Sequence, residues 1–148
     1  MRAENQPCCV LRFCGVSNGD PGPSGAAAIL LAEDRTVLYR FREGLGHETV
    51  NAAEYRALIL GLKQARAKGY DNIIVEGDSR RVINQIWGYE LAPGRSRRLW
   101  MEALVLKNRF RSFDIQQIPR VENGLADCQA NQAVNLGDGE VEEDDVGA

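Results

Sequence analysis

Three apolar runs of strand length, Cys8 to Cys14, Gly25 to Ala32 and Thr36 to Glu43, follow one another early in the chain, and at Asn51 the hydrophobic period lengthens to that of a helix. No other feature constrains the fold as much. Consecutive strands with short connections pair as an antiparallel meander. Within the third run Val37, Tyr39 and Phe41 alternate with Leu38, Arg40 and Arg42, which suits an outer strand. From Asn51, the residues Tyr55, Leu58, Ile59, Leu62 and Ala65 recur at helical spacing until Gly69 stops the helix.

The remaining order follows from the same signals. Asn72 to Gly77 reads as a short strand, and Ser79 opens a second helix through Val82, Ile83 and Ile86. Pro93-Gly94 breaks the chain before a third helix, roughly Arg97 to Asn108, a strand at Ser112 to Ile118 and a last helix from about Asn123 to Val134. A helix between two strands implies parallel pairing. The order β-β-β-α-β-α-α-β-α therefore predicts an α/β fold: a five-stranded mixed sheet, antiparallel meander plus parallel strands, with helices on both faces.

The 148 residues suit one domain, expected over residues 8–137 after an N-terminal extension, residues 1–7. Cys8, Cys9, Cys14 and Cys128 form no C-x-x-C pair, and His47 is the single histidine, which argues against a zinc site and for a reducing compartment. No run approaches the roughly 18 apolar residues of a membrane helix, and no signal or transit segment is evident. The expectation is a soluble intracellular protein, cytoplasmic or nuclear, acting as a monomer without a membrane partner. Six of the 21 acidic residues fall between Asp138 and Asp145, so residues 1–137 alone carry 18 basic and 15 acidic groups. The tail DGEVEEDDVGA, residues 138–148, has little apolar content and is expected to be disordered, as a solubiliser or a phosphate mimic.

Function concentrates around the end of the first strand. There the apolar run delivers Cys14 to the loop Gly19-Asp20-Pro21-Gly22-Pro23, too rich in turn residues to read as a strand. The loop is either a hairpin turn or a substrate contact. Three carboxylates at element ends weigh in: Glu54 in the first turn of the first helix, Asp78 at the end of a strand, and Asp127 early in the last helix. Each also has a purely structural reading. Asn51-Ala-Ala-Glu54 fits a capping box, Asp78-Ser79 a helix start, and Asp127 the charge preference after an Asn123 cap. A mixed sheet, however, can bring all three to one edge beside Cys14.

With FCGVSNGDPGPSG, NAAEYRALILGL, VEGDSRRVINQI and RVENGLADCQANQA in this order, the chain resembles the ribonuclease H family of bacterial and eukaryotic type 1 from roughly Cys8 to Val134. The resemblance implies a ribonuclease H-like fold, two Mg²⁺ ions, with Mn²⁺ as a possible substitute, and hydrolysis of the RNA strand of an RNA/DNA hybrid. Carboxylates are hard ligands suited to Mg²⁺, and paired ions can activate a water and stabilise a leaving oxygen. Glu54, Asp78 and Asp127 match three of the family's metal carboxylates, and so form the expected catalytic and metal-binding set. The fourth position, an aspartate that bridges both ions in the family, is Cys14. A thiol is protonated below about pH 8.5, carboxylate neighbours raise that value, and sulfur is a soft ligand.

The expected nucleic-acid contacts are Gly19, Asp20, Pro21, Gly22, Asn51, Ser79, Arg80 and Arg120. Asp20 replaces the asparagine of the family's G-N-P-G loop, putting an acid toward the phosphate path. Arg80 stands where many members have Gln or Lys, and Asn51 matches a hybrid-contacting asparagine. The interval IPRVENGLAD lacks the histidine many members hold before the last aspartate. Arg95, Arg97, Arg98, Lys107, Arg109 and Arg111 make either a small basic face or a solvated helix. Two functions stay open: hybrid recognition with RNA-strand hydrolysis weakened or lost at Cys14, or a non-catalytic nucleic-acid-binding or protein-interaction module reusing the fold.

Overall fold

The first strand is the spine of the sheet because almost every side chain in it is apolar and both its faces are covered. A computed structural model describes residues 7–147, so the expected N-terminal extension falls outside it apart from Pro7. Strand β1 (Cys8–Ser17) pairs antiparallel with β2 (Gly22–Leu31), which pairs antiparallel with β3 (Val37–Glu48). On its other side β1 pairs in parallel with β4 (Asn72–Gly77), and β4 with β5 (Ser112–Gln117). The crossover elements are α1 (Val50–Ala67), α2 (Arg80–Trp87) and α3 (Ser96–Lys107), followed after β5 by a 3-10 turn at Arg120–Asn123 and helix α4 (Gly124–Ala133).

Helices cover both faces, as expected. Leu11, Phe13, Ala26, Ala28 and Leu30 pack with Tyr55, Leu58 and Leu62 of α1 and with Val82 and Ile86 of α2. Val10, Cys14, Ala27, Ile29 and Leu31 point the other way, onto Ala126 and Ala130 of α4. Period-two alternation in two doubly covered strands thus yields two cores rather than one wet face. The small side chains of β2 and α4 let these elements approach closely. At Gly25 an added Cβ would lie 2.4 Å from the Ala130 carbonyl oxygen.

The sheet has six strands rather than five, in the order β5-β4-β1-β2-β3-β6. The additional strand, β6 (Val141–Asp145), comes from the tail expected to be disordered and pairs antiparallel with β3 from Tyr39 to Glu43. Composition misleads here because ion pairs replace apolar burial. Arg42 meets Glu142 at 3.1 Å and Asp144 at 2.9 Å, and Lys68 meets Glu143 at 2.8 Å. Arg42 is held from beneath as well, since its Nη1 donates to Gln129 Oε1 of α4 at 2.5 Å. The tail acids therefore neutralise Arg40, Arg42 and Lys68 rather than the arginines around α3.

Strands β2 and β3 also run further than their composition suggests. Gly22 and Pro23 pair with Glu48 and His47, across a bulge where Gly46 takes a positive φ of 69°. Pro23 needs no donor there, and its carbonyl accepts from the Asn18 N–H at 2.9 Å. The hairpin turn is thereby reduced to Asn18–Pro21.

Candidate functional site

The end of β1 and the start of α1 meet where there is no room for a side chain. A Cβ on Gly15 would lie 2.1 Å from the Ala53 carbonyl carbon, so only glycine lets the helix cross here. That crossing sets Glu54 over β1. Its carboxylate is 7% exposed and accepts a hydrogen bond from the Gly15 N–H. The capping-box reading of Glu54 therefore fails. Thr49, not Asn51, caps α1 and accepts from the Ala52 N–H at 3.1 Å, which places Glu54 beyond the first turn and free to face the sheet.

The other two carboxylates arrive from opposite sides of β1. Asp78 follows β4 directly, while Ser79 takes the capping role and accepts from the Val82 N–H. Asn123, 1% exposed, secures the junction: its Nδ2 donates to the Phe13 carbonyl at 2.9 Å and to Asp78 Oδ1 at 3.2 Å. Its side chain makes no cap for α4, which corrects the expectation drawn from the sequence. Asp127 lies in the first turn of α4, and its Oδ1 accepts from the Cys14 thiol at 3.7 Å.

One ligand atom each from Cys14, Glu54 and Asp78 lies within 4.8 Å of the other two. Asp127 stands outside that triangle, tied to its sulfur corner. Burial pushes the Cys14 thiol far up, and the charges of Glu54, Asp78 and Asp127 and the hydrogen bond to Asp127 push the same way. The thiol is neutral at physiological pH. Burial likewise raises Glu54 to about 8, with the Asp78 and Asp127 carboxylates adding to it and the Gly15 N–H and Ser79 hydroxyl opposing. Among the described residues no ion pair reaches Glu54, Asp78 or Asp127. Three acids thus converge without a basic side chain to neutralise them, an arrangement that can hold a cation.

The expected nucleic-acid contacts divide. Arg120 is exposed and lines the same cleft as Cys14, Glu54, Asp78 and Asp127. Asp20, Asn51, Ser79 and Arg80 line an adjoining groove, together with Thr49, Arg81 and Ser96. Asn51 Nδ2 donates to Ser96 Oγ at 2.7 Å, which links α1 to α3 across this groove. Asp20 is exposed on this groove, and its Oδ1 accepts from the Val50 N–H, the first of α1, at 2.9 Å. An internal carboxylate thereby occupies part of a helix N-terminus that would favour any anion. Gly19 and Pro21 are exposed at the turn, but Gly22 is buried in the β2 pairing and removed from the surface. Of the arginines around α3, Arg95 borders a pocket with Pro21 and His47, whereas Lys107 lies over the Phe113 ring.

Sequence reasoning missed Gly15 and Asn123 as positioning residues, and Thr49, Arg81 and Ser96 as groove residues. Gly15 carries a signal in the F-C-G triplet, because a glycine inside a buried strand points to close backbone approach. For Ser96 no local signal exists, as its partner lies 45 residues away.

The comparisons with known proteins agree with this geometry. The family model described as "Reverse transcriptase-like" matches residues 12–133. Ribonuclease HI of Halobacterium salinarum is 35% identical over 124 residues, covering 83% of this chain and 62% of the relative. The Bifunctional protein Rv2228c of Mycobacterium tuberculosis is also 35% identical, over 128 residues that cover 85% of this chain. The chain spans about a third of that relative, 35% of its length. Among solved structures, RNase H1 of H. salinarum superposes with a TM-score of 0.84 at 33% identity, covering 86% of this chain and 98% of that one. LC11-RNase H1, solved in complex with an RNA/DNA hybrid, gives 0.81 at 25% identity over 86% and 96% of the two chains. A family match running from within β1 to the end of α4, with neighbours of this kind, makes the chain a member of the reverse transcriptase-like family, with the fold of type 1 ribonuclease H.

Proposed function

We propose that the chain is a hybrid-recognising ribonuclease H-like domain in which metal-dependent hydrolysis of the RNA strand is weakened or lost at Cys14. One observation carries this reading: the thiol stands within β1, with its sulfur in the same 4.8 Å cluster as Glu54 and Asp78. Recognition is supported by the groove that Asn51, Ser79, Arg80 and Arg81 line beside that cluster, and by a neighbour solved on an RNA/DNA hybrid.

The two Mg²⁺ ions implied by the resemblance do not fit this donor set. The position expected to bridge them holds a neutral, soft donor in place of a carboxylate. If the missing carboxylate removes about 4 kcal/mol of transition-state stabilisation, cleavage falls roughly a thousandfold. What remains to this chain is binding: cationic side chains for phosphates, and Asn51 and the Gly19–Pro21 turn for a groove bearing 2′-hydroxyls. The same reading makes the protein an intracellular monomer with reduced cysteines.

The test combines binding and repair. Affinity for hybrid, duplex RNA and duplex DNA is measured at matched salt, and cleavage is followed with Mg²⁺ and with Mn²⁺. Hybrid preference is expected with little or no cleavage, with Cys14→Asp raising Mg²⁺-dependent cleavage by orders of magnitude and Cys14→Asp with Asp20→Asn raising it further. Equal affinity for all three duplexes would leave only nonspecific phosphate attraction and count against hybrid recognition. Efficient cleavage by the unaltered chain would overturn the role given to Cys14.

A further inference from the structure

We infer that the outer edge of β3 is a docking site for an extended acidic segment of a partner protein, taken up as an added strand and closed in cis by β6. The strand that β6 supplies shows the chemistry of recognition. On the α4 face Glu142 and Asp144 sit two residues apart. Arg42 Nε meets Glu142 at 3.1 Å, and its Nη1 and Nη2 grip the two oxygens of Asp144 at 2.9 and 3.1 Å. On the α1 face Lys68 lies 4.6 Å from the Tyr39 ring centroid and meets Glu143 at 2.8 Å. Consecutive acids are thus read from both sides of the sheet, while the ladder along Tyr39 to Glu43 accepts the backbone of any extended chain.

Two observations make β6 a replaceable occupant of this edge. First, charge and backbone pairing hold it rather than burial: Glu142, Glu143 and Asp145 are exposed, and Val141, its single apolar residue, is 45% exposed. Second, it leaves Arg40 short. Arg40 Nε is buried, and although Asp144 Oδ2 lies 3.2 Å away, that oxygen is turned to Arg42 and forms no hydrogen bond with Arg40. The next position on the same face falls at Val146, whose N–H donates to the Leu38 carbonyl at 2.9 Å. An acid there would be the diagonal neighbour of Arg40. A segment with acids at three alternate positions, matching Glu142, Asp144 and Val146, therefore fits the edge better than the chain's own tail. Tethered as it is, β6 competes at an effective concentration of about 1 mM, so a partner strand enters where β6 is weakened or outmatched.

Peptide binding to the full chain is the test. The tail is released in place by Glu142→Lys with Asp144→Lys and, in case that variant fails to fold, by the milder Glu142→Gln with Asp144→Asn. Three labelled peptides are titrated: the sequence of residues 138–147, the same with Val146→Glu, and the same N-methylated at Glu142 and Asp144. The Glu140 carbonyl and the Val146 N–H both point at β3, so by the two-residue period of the ladder the N–H groups of Glu142 and Asp144 do too. The released chain is expected to bind the first peptide at least about tenfold more tightly than the unaltered chain does. The Val146→Glu peptide should bind about two- to fivefold more tightly again, and the N-methylated peptide should not bind. Arg40→Gln should erase the gain from Val146→Glu, and Lys68→Gln should weaken all binding about two- to fivefold. The inference is overturned if neither released variant, shown to be folded by its thermal transition, binds the first peptide, if the N-methylated peptide binds equally well, or if Val146→Glu gains nothing. A dimer of the released chain that the peptide fails to dissociate would assign the edge to a second copy and overturn it as well.

Discussion

Gly15 links the backbone to the chemistry, because the absence of its side chain brings α1 onto β1 and its N–H then orients Glu54. Gly15→Ala should therefore destabilise the fold. Lifting the helix to clear a Cβ that would lie 2.1 Å from Ala53 costs on the order of 1–3 kcal/mol, which a shifted urea midpoint would show. An unchanged midpoint would mean that the contact is slack. Residue identity was the most legible part of the site, since Cys14, Glu54, Asp78 and Asp127 sit in ordered motifs and all four reach the same cleft. Residue posture was not. Thr49 and Asn51 are both good cap residues two positions apart, and the sequence does not foretell that Thr49 caps while Asn51 reaches Ser96. Asp20 illustrates the same limit. Its charge suggests an acid on the groove, but nothing local foretells that its carboxylate also accepts from the Val50 N–H.

At the scale of elements, helices and central strands were legible because burial on two faces leaves long apolar runs, whereas β6 was not. VEEDD has neither alternation nor β-branched content beyond Val141, and its partners lie about a hundred positions upstream: Arg42 meets Glu142 across 100 residues and Asp144 across 102. Charge pairing across such a distance leaves no periodic trace. It does leave a pH signature. The Arg42 guanidinium, with Arg40 in support, holds the Asp144 carboxyl below its ordinary range. A depressed folded value means the contribution is complete above the unfolded value of about 4 and is lost as pH falls through the folded one. The stability difference between the full chain and one ending at Gly137 should thus be largest near neutrality and shrink below about pH 4. A difference that stays constant from pH 7 to pH 3 would remove the ion pairs from the account.

For the whole molecule, the register places Cys14, Ala27, Arg42 and Glu142 in one lateral row across four strands, so the acidic strand and the cleft share a sheet layer under α4. The mixed topology and the covering of both faces were legible. The outer boundary of the sheet was not, because it is made by the least strand-like segment. Strand β6 has a further consequence for how copies of this protein meet one another. Without it, β3 would present a free row of N–H and C=O groups beside partly apolar Tyr39 and Phe41, a template for another chain. With it, the outward edge carries Glu142, Glu143, Asp144 and Asp145, and two such edges repel. A chain ending at Gly137 should accordingly self-associate in a concentration-dependent way by light scattering, while the full chain stays dispersed at the same concentration. Equal scattering from both would show that β3 is protected by something other than this strip of like charge, which otherwise acts as the molecule's guard against polymerisation.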